Sequence, residues 1–157
     1  LSDQQIAAIT DSVNTDEIEQ ARLAMSKSTN DQVQSFAGMM VEHHGEAKKK
    51  QTKLNIAEAE SPLSLELAAE THQTLEQLEQ KSGADFDRAY LQAQIDGHQK
   101  VLDTIDDQLL PSAKGPELKA YLQELRPKVA QHLERAQAAK QSVASNASGP
   151  TPRATNK

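Results

Sequence analysis

Apolar residues recur along this chain at intervals of three and four, the spacing of one helix face. Proline, glycine and asparagine divide the pattern into five segments. Ser2 with Gln5 three residues later reads as a capping box, opening a first helix predicted to about Ser28, with Ile6, Ile9, Val13, Ala21 and Ala24 on its apolar side. Val13-Asn14-Thr15 is where that helix can kink. Asn30 caps a second helix to about Ala57, with Val33, Ala37, Met40, Ala47 and Leu54 on one face, and Pro62 closes it because the residue before a proline disfavours the α region. A third, over about 62–82, carries Leu65, Ala68, Ala69, Leu75 and Leu78 and stops at Ser82-Gly83. The fourth places Leu91, Ile95, Leu102, Ile105 and Leu109 on one stripe from Ala84 to Pro111. After Gly115-Pro116 the fifth has the most regular stripe: Leu118, Leu122, Leu125, Val129, His132, Ala136, Ala139 and Val143, with Pro127 expected to kink its interior.

Four segments of about 27 residues, each about 40 Å long as a helix, plus one of about 21, predict an elongated all-α four-helix bundle with one additional shorter helix in the crossover. No strand pattern competes. The segment from Ser145 to Lys157, rich in Ser, Asn, Pro and Thr, has almost nothing to bury and is expected to be a disordered tail, so the folded domain spans 1–144 and the tail 145–157.

Composition tests this reading hard. Only 36% of residues are hydrophobic and 3% aromatic, and Leu, Ile, Val and Phe together number 30 of 157. With a net charge of −6, such a chain falls where disorder is common. The shortfall is made up by 22 alanines and 17 glutamines, both good helix formers. Alanine-lined seams let helices approach closely, so periodicity overrules the disorder prior. The absence of cysteine excludes disulfide frameworks, thiolate metal sites and cysteine nucleophiles. No apolar run approaches about 18 residues, so no transmembrane segment is expected. The acidic balance and the lack of a basic face argue against nucleic acid as a partner; Lys48, Lys49 and Lys50 read as one solvated turn. The chain starts at Leu1 rather than Met, from which we expect that an export signal or another leading segment has been removed.

Five histidines occur, and three share a pattern. His44, His98 and His132 each stand three residues after a β-branched aliphatic, Val41, Ile95 and Val129. The first two form a weak internal repeat, with Phe36 and Tyr90 eight residues ahead and Glu42 and Asp96 two ahead. Residues i and i+3 share a helix face, so three helices each present an imidazole on their apolar stripe. Counted from the joints, His44, His98, His132 and Glu17 fall near mid-bundle. Imidazoles with a carboxylate make a set for a divalent transition ion, zinc or iron foremost and copper as an alternative. Inward ligands from four helices are how ferritin-like bundles hold metal. His43, in Met39-Met40-Val41-Glu42-His43-His44, adds a further candidate ligand through its i,i+4 pairing with Met39, a combination suited to copper. His72 stands among polar residues and is expected to be exposed. A di-iron oxidase would want Glu-x-x-His pairs, and there is no phosphate loop, nucleophile elbow or zinc-protease histidine pair, so catalysis is not favoured.

At these same residues the chain resembles a family of exported bacterial proteins, that of the domain of unknown function 4142. The matching stretches are Phe36-Ala37 with Met40-Val41-Glu42-His43-His44, Phe86-Asp87-Arg88-Ala89-Tyr90 through His98-Gln99-Lys100-Val101-Leu102, and His132-Leu133-Glu134-Arg135-Ala136. The resemblance implies a ferritin-like bundle, a signal peptide and an envelope setting, hence a periplasmic or secreted location. His44 takes the place of the family histidine, while His43 stands where the family has Asp. A shorter likeness, of Met40 to Ala47, is to the domain of unknown function 305 family, some members of which are associated with copper; here Glu42 replaces that family's proline.

Two readings follow. In the first, an exported ferritin-like bundle holds a divalent ion through His44, His98 and His132, with Glu17 and His43 as further ligands, for sequestration or envelope stress protection. In the second, the histidines are core spacers of a structural bundle whose acidic helices contact another envelope component.

Overall fold

Each of the first three helices begins where the sequence supplies a side-chain cap. Helix α1, Asp3–Lys27, opens on Ser2, whose hydroxyl accepts from the Gln5 amide while the Gln5 side chain accepts from the Ser2 amide. Helix α2, Asp31–Lys53, opens on Asn30, which accepts from the Gln32 and Val33 amides. Helix α3, Pro62–Glu79, opens on Ser61 with proline in its first turn, where a missing N–H costs nothing. Helix α4, Gly83–Thr104, continues through a π-helical turn, Ile105–Leu109, into a last turn, Leu110–Ser112. Helix α5 is Pro116–Ala147. The computed structural model describes residues 1–147, and among them the fold is all-α, with no strand.

Several boundaries differ from the expected ones. Helix α2 stops at Lys53 rather than near Ala57, because Asn55 adopts a φ of 52°, a left-handed conformation a right-handed helix cannot absorb. The π turn, in which the Leu110 amide reaches back to the Ile105 carbonyl, leaves no mark on the apolar spacing. Helix α1 passes Asn14 and α5 passes Pro127 without interruption. Pro127 and Gln123, whose carbonyl loses its i+4 donor, are both exposed, so water can serve that carbonyl. Helix α3 departs from its expected face in its first half, where Leu65 is 55% exposed and Ala68 and Ala69 face solvent while Ser64 and Leu67 are buried; Leu78, near its end, is buried as expected. Residues 145–147 continue α5; the rest of the expected tail lies outside the described residues.

Helices α1 and α2 form one hairpin and α4 and α5 another, and the ring closes as α2 packs on α5 and α4 on α1. Helix α3 rides in the crossover, laid over α1 and α4. No described helix is long and apolar enough to cross a membrane.

The interior is split in two. One apolar cluster holds Phe36, Met40, Phe86, Tyr90 and Leu91 with an alanine seam of Ala21, Ala24, Ala37, Ala136 and Ala139. The other holds Ile6, Ile9, Ile105, Leu109, Leu118, Leu122, Leu125 and Val129. Between them every long helix turns polar inside: Asn14, Glu17 and Gln20 on α1, His44 on α2, Gln94 and His98 on α4, and His132 on α5, each 7% exposed or less. A buried polar layer costs free energy unless its groups are paired or liganded.

Candidate metal centre

The polar layer converges on three imidazoles. His44, His98 and His132 are each 2% exposed, and one ring nitrogen from each lies within 4.8 Å of the other two. Ring centroids are 6.0 Å apart for His44 and His98, 5.1 Å for His44 and His132, and 5.4 Å for His98 and His132. Three nitrogens at about 2.0–2.1 Å from a tetrahedral ion would stand about 3.4 Å from one another, a closure that small side-chain movements supply.

Hydrogen bonds at the back of each ring decide which nitrogen faces inward. The Asn14 amide donates to the Tyr121 hydroxyl at 3.1 Å, leaving Asn14 Oδ1 to accept from His44 Nδ1 at 2.8 Å. His98 Nδ1 donates to the Gln94 carbonyl at 2.8 Å. Both rings are thereby fixed in the tautomer that bares Nε2, and His44 Nε2 and His98 Nε2 are both buried without a partner. His132 is held the other way round: its Nε2 meets His43 Nδ1 at 2.9 Å, and its Nδ1 is the buried, unpartnered atom. Each of the three rings thus leaves one buried nitrogen without a partner. Back-side hydrogen bonds such as those of His44 and His98, which fix the tautomer of the ring, are how proteins prepare histidines for a metal ion, and the three residues could hold one.

Electrostatics keep two of the three rings, His44 and His132, neutral. Burial, and then the neighbouring His132, His98 and His43, push the His44 imidazole well below its usual value. Burial followed by His98 and His43 lowers His132 to about 3. Both are therefore neutral at physiological pH and need lose no proton to bind metal.

The remaining candidates are placed differently. Glu17 is buried, with Oε1 3.9 Å from His98 Nδ1 and Oε2 unpartnered. It thus stands on the Nδ1 side of the His98 ring, outside the three-histidine group. His43 is half-buried and backs His132. His72 has a side chain 77% exposed and pairs with Glu76. Phe36 and Tyr90, the repeat partners, meet edge to face at a centroid distance of 6.1 Å. Two participants escaped the sequence reading, Asn14 and Gln94. Asn14 was legible only as a polar residue one step from the α1 stripe. Gln94 precedes His98 by four residues, and its role is carried by its backbone carbonyl, which no sequence reports.

The family whose model is described as a domain of unknown function (DUF4142) matches residues 1–139. The chain belongs to that family. No curated protein and no solved structure matches it. The DUF4142 match takes in all three converging histidines, together with Asn14, Glu17 and His43.

Proposed function

We propose that this DUF4142 protein binds one divalent transition ion at mid-bundle through His44, His98 and His132. The observation that carries the reading is three buried imidazoles that can each offer one ring nitrogen within 4.8 Å of the other two, each ring having one nitrogen without a partner. Histidines serving as core spacers would be expected to spend both nitrogens on hydrogen bonds; these spend one each and leave the other unpartnered.

Three imidazole nitrogen donors with no thiolate suit zinc(II) first, leaving a fourth tetrahedral position for water. Copper is the alternative on the same donors. Iron would want a carboxylate in its shell, and Glu17 stands behind His98. Enclosure of the donors favours retention over turnover, hence metal sequestration or protection of the cell envelope against metal stress. The exported, periplasmic setting belongs to the same proposal and rests on the family resemblance.

Protein purified without a histidine tag and stripped of metal should melt higher on adding zinc, since ligand at about 100 times its dissociation constant adds about 2.7 kcal/mol to the native state. Replacing His98 by Ala should abolish the shift, and replacing exposed His72 by Ala should leave it intact. No shift with zinc, copper or iron(II) would refute the reading.

A further inference from the structure

The ring of four helices is not sealed on every side. Where α3 rides over α1 and α4 it leaves a solvent-open groove of about 430 Å³. Acidic side chains in it are Asp16, Glu17, Glu70 and Asp96, and basic ones Lys81 and Lys100. Lys100 is spent locally, at 2.6 Å from Glu70 and 3.5 Å from Glu66. The groove is thus net acidic, and clefts of one sign concentrate ions of the other.

Its depth distinguishes it from an ordinary acidic surface. Glu17 lines the groove, is only 7% exposed, and has one carboxylate oxygen with no partner. Its other oxygen is 3.9 Å from His98 Nδ1. A single imidazole ring therefore separates the groove from the three-histidine centre, since the opposite nitrogen, Nε2, is the one His98 leaves bare. Burying a carboxylate without a counter-charge is expensive, and among the described residues Glu17 makes no ion pair with a lysine or arginine, only the 3.9 Å approach to His98.

We infer that this groove is a second cation site, the port through which a divalent ion reaches the three-imidazole centre, with the Glu17 carboxylate as its innermost transient ligand. The rim carboxylates gather the ion, Glu17 draws it inward, and displacement of the His98 ring, which breaks its Nδ1–H bond to the Gln94 carbonyl, opens the way to the centre. The inference rests on the metal-binding reading above and concerns the rate of loading, not whether a site exists.

Stopped-flow loading of metal-free protein with cobalt(II), followed by its visible absorption, separates the two. Glu17→Gln removes the charge at nearly constant volume. It should slow loading at least tenfold and weaken its dependence on ionic strength, while the final cobalt stoichiometry matches the unaltered protein. Filling the groove with Ala93→Phe should slow loading as well. Glu17→Gln loading at the unaltered rate, whether or not equilibrium affinity falls, would overturn the port, for it would leave Glu17 only a partner of His98. Slowing by His43→Ala but not by Glu17→Gln would put the entrance on the α2 and α5 side and overturn it too. Should the unaltered protein bind no cobalt at all, the metal reading itself fails and the port falls with it.

Discussion

Each imidazole of the centre leans on a different neighbour, so the neighbours can be removed one at a time. Among the described residues, Asn14 is the acceptor that His44 Nδ1 meets, at 2.8 Å. Asn14→Ala should free His44 to rotate or change tautomer, costing about 10- to 100-fold in zinc affinity and about 1–3 kcal/mol in stability; a zinc titration and a urea melt would report both, and unchanged affinity would show that the bond does not orient the ligand. Acid supplies a second test. His44 and His132 are neutral in the folded chain, His132 down to about 3, whereas unfolded histidine titrates near 6.5. Below about 6.5 the unfolded state binds protons the folded state refuses, so stability is full above that pH and falls as pH drops, by about 1.4 kcal/mol per unit for each such group. Asp16, which burial raises to about 6, acts oppositely: folded protein keeps its proton over roughly pH 4–6 where the unfolded chain has lost it. Two histidines outweigh one carboxylate. Metal-free protein should lose about 2 kcal/mol between pH 7.5 and 5 in urea melts, and a flat or rising profile would contradict this account.

At the scale of elements, α5 and α3 mark the range of what periodicity can report. All eight stripe positions of α5, from Leu118 to Val143 and including His132, are buried, because a long helix facing two neighbours needs a broad apolar face and advertises it. Helix α3 touches the bundle along a narrow strip, so Thr71 and Ser64 serve its inner side nearly as well as leucine and the sequence misleads about its rotation. The difference is measurable. Leu67→Ala should cost about 2–5 kcal/mol, whereas Leu65→Lys, at a position 55% exposed, should stay within about 0.5 kcal/mol; the reverse order in thermal melts would mean that α3 packs on its other face. The π turn at Ile105–Leu109 and the early end of α2 at Asn55 are set by backbone hydrogen bonding and one left-handed residue, neither of which alters the apolar spacing.

Across the whole molecule, a chain with few large apolar residues folds around two small cores and gives the space between them to polar side chains. Sequence counting brings His44, His98 and His132 to one height because helix rise is constant. It cannot tell which side of a ring Glu17 occupies, nor that His43 would back His132, since those depend on rotations about helix axes and side-chain bonds. The polar layer is a cost in the metal-free protein, and that gives the fourth prediction. Replacing His98 by Leu removes a buried unpartnered nitrogen, so the metal-free variant should be at least as stable as its parent while losing its response to zinc; a variant that kept the zinc response would place the ion elsewhere.

The most direct test of the centre is X-ray absorption at the zinc edge on protein loaded with one equivalent and freed of excess. The structure predicts one retained zinc per chain with three imidazole nitrogens at about 2.0 Å and one further light ligand. No retained zinc, or a shell built on carboxylate oxygens with fewer than three imidazoles, would contradict it.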